Sequence, residues 1–248
     1  MIGFGIDEQS AETETIRTGF ECWGNYWIDK KFPTGRYGIS TWDYFMDCVE
    51  MIKAKPIESV PDLDQETGNI VGYELADSEY EKSDALNALQ SMMVVHIWGH
   101  MEDFLKGMMP YLCVLQTSCA KLADAPSLYQ AQYQKNGRPF SFDYDTFKKA
   151  YTIIDPNGVG SVKHYIHIND IRVLNNISKH AVGRYNPENK RHALSKSVKL
   201  KLGLNGLKKG RYDVEYRKLN INEYVTYCNE FARSMFDKIE QELKRNTL

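Results

Sequence analysis

Apolar residues recur every three or four positions along several stretches of the chain, which is the spacing of one face of an α-helix. The strongest such pattern predicts a helix from about Ser78 to Leu115. Its apolar positions are Leu86, Leu89, Met93, Ile97, Met101, Leu105, Met108 and Leu112. Shorter patterns of the same kind predict helices over residues 11–30, 41–55, 142–154, 166–182 and 221–244. The pattern therefore predicts a mainly α fold, built as a helical bundle.

Two stretches interrupt the helical spacing. Residues 56–77 combine turn formers with short alternating runs, which predicts a loop with a small hairpin. Residues 194–219 contain two alternating runs, SVKLKLGL and RYDVEYRKL, with turn formers at Asn205-Gly206 and Lys209-Gly210 between them. Because alternation with a period of two is typical of β-strands, we predict a β-hairpin over this stretch as well.

Composition narrows the class of protein. The chain has 248 residues, of which 42% are hydrophobic and 26% are charged, as in ordinary globular proteins. It contains no apolar run of the roughly 18 residues that a membrane span needs, so we expect no membrane association. The acidic start lacks the pattern of a secretory signal, and the five scattered cysteines form no CxxC pair. These features favour a cytoplasmic protein with reduced thiols.

Charge is divided unevenly along the chain. Residues 1–84 carry 18 Asp/Glu and 7 Lys/Arg, whereas the remaining residues carry 15 Asp/Glu and 24 Lys/Arg. We therefore predict an acidic N-terminal helical extension and loop over residues 1–77 and a bundle over residues 78–248. Between Lys190 and Arg211 there are eight Lys/Arg and no Asp/Glu. Such a stretch is either a solvated basic hairpin or a surface for polyanionic phosphate. The residues expected to contact RNA are Lys199, Lys201, Lys208, Lys209 and Arg211.

The segment from Ile168 to Pro187, INDIRVLNNISKHAVGRYNP, predicts a helix that ends in a histidine, a glycine and a polar turn. It resembles the signature helix of HEPN proteins (higher eukaryotes and prokaryotes nucleotide-binding). Their pattern is Arg, a polar residue that is often Asn, a few residues and then His. Asn176 and His180 match this pattern, and Asn175 stands at the arginine position. The segment HIWGHMEDFLKGM resembles the family's first bundle helix, in which an acidic residue such as Glu102 interrupts the apolar stripe.

The resemblance implies an HEPN-like bundle of prokaryotic toxin or defence type that acts on RNA without a cofactor. It also implies a homodimer and a cognate antitoxin or defence partner. Active family members use the signature helix as a metal-free endoribonuclease site that leaves 2′,3′-cyclic phosphate ends. His180 would move the proton. Since Asn175 carries no charge, the phosphate-stabilising cation would come from Arg172, from Arg184 or from a partner subunit.

Two other functions are compatible with the same residues. The first is a non-catalytic interaction or RNA-binding module on the same fold. The second is a metal-binding bundle, because His96, His100 and Asp103 have the i, i+4, i+7 spacing that places three side chains on one helical face. A histidine from the pair His164 and His167 would complete such a site.

Overall fold

The computed structural model describes residues 39–54, 59–64, 66–68, 70–75, 78–116 and 144–245. The predicted helix over 11–30 and most of the predicted acidic extension lie outside these residues, as do residues 117–143. The described chain is mainly helical with a small antiparallel hairpin, so the predicted fold class is confirmed. None of its helices is long and apolar enough to cross a membrane.

The helices follow the sequence periodicity closely. Those in the described residues are α1 (Ile39–Ala54), α2 (Ser78–Gln116), α3 (Tyr144–Tyr151), α4 (Tyr165–His180), α5 (Lys196–Lys201) and α6 (Ile221–Arg245). Short 3-10 turns lie at Val159–Ser161, Lys190–His192 and Tyr216–Lys218. The predicted helices at 41–55, 78–115, 142–154, 166–182 and 221–244 are all present, with ends shifted by a few residues. Such shifts are usual for helix ends, which fray.

The predicted hairpin within residues 56–77 is confirmed. β1 (Ser59–Leu63) pairs antiparallel with β2 (Ile70–Leu75), and the pairing begins at Ser59 and Leu75. In the turn between the strands, Asp64 Oδ1 accepts the backbone N–H of Thr67 at 2.7 Å. Gly68 follows with a φ of 67°, which an L side chain rarely adopts.

The predicted hairpin over 194–219 is wrong. Lys196–Lys201 forms the helix α5, and only Tyr212–Asp213 forms a strand, β4, which pairs with β3 at Arg184–Tyr185. The run SVKLKLGL alternates, but it also places Val198 and Leu202 four residues apart, which is a helical spacing. Both of these residues are buried, whereas the intervening Leu200 is 68% exposed. Burial therefore follows the helical period and not the strand period.

The chain divides into two compact units by its contacts. Of the described residues, unit 1 comprises 97–116, 144–172 and 222–245, together with residue 39, and unit 2 comprises 40–54, 59–64, 66–68, 70–75, 78–96 and 173–221. α2 and α4 therefore contribute residues to both units. The predicted boundary between residues 77 and 78 separates the acidic extension from the bundle; it stays a prediction, because residues 1–38 lie outside the description.

The core of unit 1 is built from the apolar faces of four helices. The fully buried side chains include Ile97, Met101, Phe104, Leu105, Met108, Phe147, Tyr151, Ile168, Ile171, Phe231, Met235 and Ile239. Aromatic rings order part of this core, because Trp98 meets Tyr144 edge-on and Tyr144 stacks on Phe147. Burying such rings and aliphatic chains contributes about 1.5–3 kcal/mol per side chain before the entropy cost of ordering is subtracted.

Unit 2 combines a smaller apolar core with polar ties. Its buried residues include Met93, Val94, Leu174, Ile177, Tyr185, Leu194, Val198, Leu202, Val214, Tyr216 and Leu219. The side chain of Asn87 donates to the carbonyl of Val214 at 3.0 Å and accepts the backbone N–H of Arg217 at 3.2 Å. The hydroxyls of Ser91 and Ser178 lie 2.7 Å apart. The Asn87 bonds hold the segment after β4 against the N-terminal part of α2, and the serine contact joins the same part of α2 to α4.

Candidate nucleic-acid interface

The C-terminal part of unit 2, residues 173–221, carries a strong excess of positive charge. It contains twelve Lys/Arg and three Asp/Glu, whereas the whole chain has a net charge of −2. Seven of the eight basic residues between positions 190 and 211 are exposed, and Lys199 is half-buried. We call this group of eight the basic segment. Lys208, Lys209 and Arg211 form no ion pair with any carboxylate among the described residues. Their charge is therefore directed to solvent.

Apolar anchors hold the basic segment in place. Ser195 caps α5 by accepting the backbone N–H of Val198 at 3.3 Å, which satisfies a free donor of the first helical turn. After α5, the buried side chains of Leu202 and Leu204 fix the chain, and the N–H of Leu204 donates to the carbonyl of Lys199 at 2.8 Å. The chain between Leu204 and β4 then lies at the surface, so Lys208 and Lys209 project from an anchored loop.

A buried histidine organises the start of the basic segment. The Nδ1 atom of His192 accepts the backbone N–H of Asn186 at 3.0 Å, and its ring lies 6.1 Å from that of Tyr185. Burial lowers the pKa of His192 below its ordinary value of 6.5. The neutral imidazole is the form that can accept this bond. His192 therefore shapes the turn that carries Lys190 and Arg191.

His180 lies at the last position of α4 and is exposed. The chain then turns between Ala181 and Arg184, where the N–H of Arg184 donates to the carbonyl of Ala181 at 3.0 Å. Both central residues have positive φ, 50° at Val182 and 72° at Gly183. Within the part of the chain that the structure describes, no side chain hydrogen-bonds to the imidazole of His180.

The other residues predicted to form the catalytic site are placed less favourably for catalysis. Asn175 is only 3% exposed, and its Oδ1 atom has no hydrogen-bond partner among the described residues. Its Nδ2 atom lies 3.5 Å from Oδ1 of the half-buried Asn176. Arg184 is exposed, but its Nε atom lies 3.3 Å from Asp213 Oδ1. The predicted site therefore has an exposed histidine, whereas Asn175, at the position where an arginine would be needed, is buried and uncharged.

Arg172 and Glu102 belong to unit 1, where both have structural partners. The guanidinium of Arg172 lies 5.1 Å from the centre of the Tyr144 ring and donates to Asn169 Oδ1 at 3.0 and 3.3 Å. Glu102 accepts the indole N–H of Trp98 at 3.1 Å and pairs with Lys106 at 3.0 Å. These contacts occupy both side chains, so each stabilises the packing of unit 1.

The side chains of the alternative metal site have other contacts in the described structure. Among the described residues, no group of three or more His, Cys, Asp or Glu is arranged to hold a metal ion. The ring of His96 packs 5.6 Å from that of Phe45, and burial lowers its pKa. His100 is half-buried, and the exposed Asp103 pairs with Lys106 at 3.5 Å. The i, i+4, i+7 spacing is therefore used for packing and surface pairing.

One cluster in unit 1 was not predicted from the sequence. Nε2 of His164 lies 2.7 Å from Oε2 of Glu230, and Lys163 pairs with the same carboxylate oxygen at 2.5 Å. The ring of Tyr227 stacks on those of both His164 and His167, with centroid distances of 4.7 and 4.2 Å. The sequence shows the two histidines, but it does not show that a glutamate 66 residues away meets the first of them. The cluster fastens the start of α4 to α6.

No protein-family model, curated protein or solved structure matches this chain.

Proposed function

We propose that this protein binds RNA through the basic segment of unit 2, as a non-catalytic module on an HEPN-like helical bundle. The observation that carries the proposal is the exposure of Lys/Arg side chains from position 190 to 211 without an intervening carboxylate. Such a surface attracts the phosphate backbone of a nucleic acid and releases the counterions condensed on it. The resemblance of the α4 segment to the HEPN signature favours RNA among polyanions.

The proposal is supported by the way the unit holds its positive charges. Repulsion between neighbouring lysines favours dispersed or paired charges, yet Lys208 and Lys209 adjoin each other and lack a carboxylate partner among the described residues. Three carboxylates in the region, Asp213, Glu215 and Glu188, lie outside the stretch from 190 to 211. An unneutralised basic loop on apolar anchors is suited to a polyanionic ligand.

The test is the salt dependence of RNA binding. We expect the full chain to bind a fluorescent single-stranded RNA with an affinity that falls steeply as salt rises. The double variant Lys208→Gln/Lys209→Gln should bind more weakly. For two lost contacts to a single strand, the slope of log K against log salt should become shallower by about 1.4. Fluorescence anisotropy at several salt concentrations measures both quantities.

The matched control is Lys244→Gln/Arg245→Gln at the end of α6. These two cations are also exposed, but each pairs with a glutamate of its own helix, at 2.7 and 2.5 Å. Their removal lowers the net charge by the same amount and should leave the salt slope unchanged. Equal loss of affinity in both double variants would show that only net charge matters and would contradict a site at the basic segment.

A second candidate function, a metal-independent endoribonuclease, is favoured by the exposed imidazole of His180. Because Asn175 is buried and uncharged, this function requires a cation from elsewhere, such as the second copy of a homodimer. We expect RNA cleavage in EDTA with 2′,3′-cyclic phosphate ends, lost in His180→Ala and retained in the exposed-site control Lys149→Ala. Cleavage that persists in His180→Ala would remove this residue from the reaction. If the parent protein binds RNA without cutting it, the ribonuclease function is refuted and the non-catalytic RNA-binding function is retained.

The cellular setting follows the same resemblance. A prokaryotic toxin or defence role and a cognate antitoxin or defence partner belong to this proposal, together with the cytoplasmic location that the scattered cysteines favour. The oligomeric state tests one part of it directly. We expect a homodimer in analytical ultracentrifugation, and a monomer at all protein concentrations would remove the shared-site form of the ribonuclease.

A further inference from the structure

We propose that Asn205 is a site of spontaneous deamidation, which adds a negative charge and so offsets part of the positive charge of the basic segment. Asn205 and Gly206 lie in the surface loop between α5 and β4, and both are exposed. In the sequence they stand between Lys201 and Lys208, inside the stretch without carboxylates. The proposal thus places a modification that creates a negative charge within the densest basic part of unit 2.

The chemistry is an intramolecular attack on the side-chain amide. The backbone nitrogen of Gly206 bonds to Cγ of Asn205 and loses its proton, while the amide nitrogen of Asn205 leaves as ammonia. The resulting succinimide ring is then opened by one water molecule. Addition of water at one carbonyl gives aspartate, and addition at the other gives isoaspartate, in which the main chain continues through the side-chain carboxyl carbon. Either product carries one negative charge.

The local structure leaves this attack unobstructed. The N–H of Gly206 donates to no acceptor among the described residues, so no hydrogen bond must break before the nitrogen can move. A Cβ placed on Gly206 would meet no atom within 4 Å, which shows that the space around it is open. Gly203, Gly206 and Gly210 all have positive φ, and glycine allows the loop the backbone rotations that ring closure needs.

The chain contains a natural control at Asn157-Gly158 in unit 1. Asn157 is exposed like Asn205, and Gly158 has a similar φ of 69°. The N–H of Gly158, however, donates to the carbonyl of Asp155 at 2.7 Å, and that of Asn157 donates to Asp155 Oδ1 at 2.9 Å. The attacking nitrogen is therefore held in a hydrogen bond, so the turn must open locally before deamidation can begin.

The consequence for binding rests on the proposed function. A carboxylate at position 205 would face the same phosphates that Lys208 and Lys209 attract, and would repel them. Ring closure releases ammonia and ring opening consumes water, so the change is not reversed by simple dilution or a change of salt. The protein would lose RNA affinity with age at a rate set by the loop itself.

The first experiment measures deamidation site by site. The purified full chain is incubated in mildly alkaline buffer and digested with trypsin, and peptides 202–208 and 150–163 are followed by mass spectrometry. In the folded protein we expect Asn205 to deamidate at least about tenfold faster than Asn157, because only the latter needs local opening. In urea the two rates should converge, since both are Asn-Gly pairs. Equal rates in the folded protein, or faster conversion of Asn157, would overturn the proposal.

The second experiment measures the consequence. Asn205→Asp should weaken binding to single-stranded RNA by about threefold to tenfold at low salt. The difference in affinity between this variant and the parent should become smaller at high salt. Asn157→Asp, which adds the same charge in unit 1, should leave the affinity unchanged. Unchanged binding by Asn205→Asp would overturn the proposed effect on RNA binding, even if mass spectrometry confirmed the reaction. A parent chain that binds no RNA would refute the proposed function instead, because the deamidation rates are read without RNA.

Discussion

At the scale of single residues, the turn after α4 holds a side chain in an unfavourable backbone conformation. Val182 has a φ of 50° and is 87% exposed. The left-handed region costs an L residue about 1–2 kcal/mol, and a β-branched side chain is among the least suited to it. Because Val182 buries almost no surface, packing does not compensate for this cost. Turn positions with positive φ favour Asn and Gly.

We expect Val182→Asn to raise the free energy of unfolding by about 1 kcal/mol, because Asn tolerates the left-handed region. Urea denaturation followed by circular dichroism measures the change. Val182→Thr is the matched control, since it keeps the β-branch and should give little or no gain. A decrease in stability in Val182→Asn would mean that the valine side chain makes a contact on which the fold depends.

His192 makes the stability of unit 2 depend on pH. Burial lowers its pKa below 6.5, and its Nδ1 atom accepts the N–H of Asn186 only when that nitrogen is unprotonated. As the pH falls through 6.5, the unfolded chain takes up the proton before the folded chain does. The free energy of unfolding should therefore fall with pH from this point down to the lower pKa of the folded state.

We expect His192→Gln to flatten this acid-side decrease, because glutamine does not titrate in the range. Denaturant titrations at a series of pH values between about 8 and 4 give the slope of the free energy of unfolding against pH. For a single histidine this slope corresponds to roughly one proton at most. Burial also lowers the pKa of His96, so His96→Gln should remove a separate part of the slope. A slope in His192→Gln equal to that of the parent would contradict a buried, neutral His192.

At the scale of elements, the sequence predicts those that bury one regular face. The stripe from Met93 to Leu112 on α2 and the face of α4 from Ile168 to Ile177 are buried as the 3.6-residue period predicts. Residues 194–219 could not be predicted in this way. There the alternation of Val198, Leu200 and Leu202 fits a strand, but the two buried members also fit one turn of helix. The burial of Val198 and Leu202 in the folded protein decides in favour of the helix.

In the candidate site, too, features set by neighbouring residues can be predicted from the sequence, whereas contacts between residues far apart in the sequence cannot. The exposure of Lys208, Lys209 and Arg211 follows from composition, because a basic run without carboxylates has no internal partner. The pairing of His164 with Glu230 does not follow, since 66 residues separate them. The burial of Asn175 could not be predicted either, because Asn175 and Asn176 are adjacent residues of the same type and the sequence does not show which of the two faces the core. Local runs are predictable, whereas contacts between distant elements require the fold.

Asn87 ties one element to another and supports a prediction at this scale. Its amide donates to Val214 and accepts from Arg217, which lie 127 and 130 residues away. We expect Asn87→Ala to lower the free energy of unfolding by about 1–3 kcal/mol, because two backbone groups lose their partner. Asn87→Asp keeps the acceptor and loses the donor, so it should cost less. Hydrogen exchange at Arg217 should accelerate in Asn87→Ala, and an unchanged rate would show that the bond does not protect this amide.

At the scale of the whole molecule, the near-neutral net charge conceals a basic region. The chain carries −2 overall, yet residues 173–221 contain twelve Lys/Arg and three Asp/Glu. Like charges held close together oppose the compact state, and this repulsion is relieved when a polyanion neutralises them. A ligand that binds the folded state and not the unfolded chain must also stabilise the fold. RNA binding at the basic segment therefore predicts a change in the stability of the protein itself.

We expect single-stranded RNA at about 100 times its Kd to raise the free energy of unfolding by about 2.7 kcal/mol, with a matching rise in Tm. The rise should shrink in Lys208→Gln/Lys209→Gln and disappear at high salt, because the binding is electrostatic. In the control Lys244→Gln/Arg245→Gln it should equal that of the parent. Differential scanning calorimetry at fixed protein concentration measures the shift. If RNA binds in anisotropy but leaves Tm unchanged, the unfolded chain binds it equally well, and the folded arrangement of the basic segment contributes nothing to recognition.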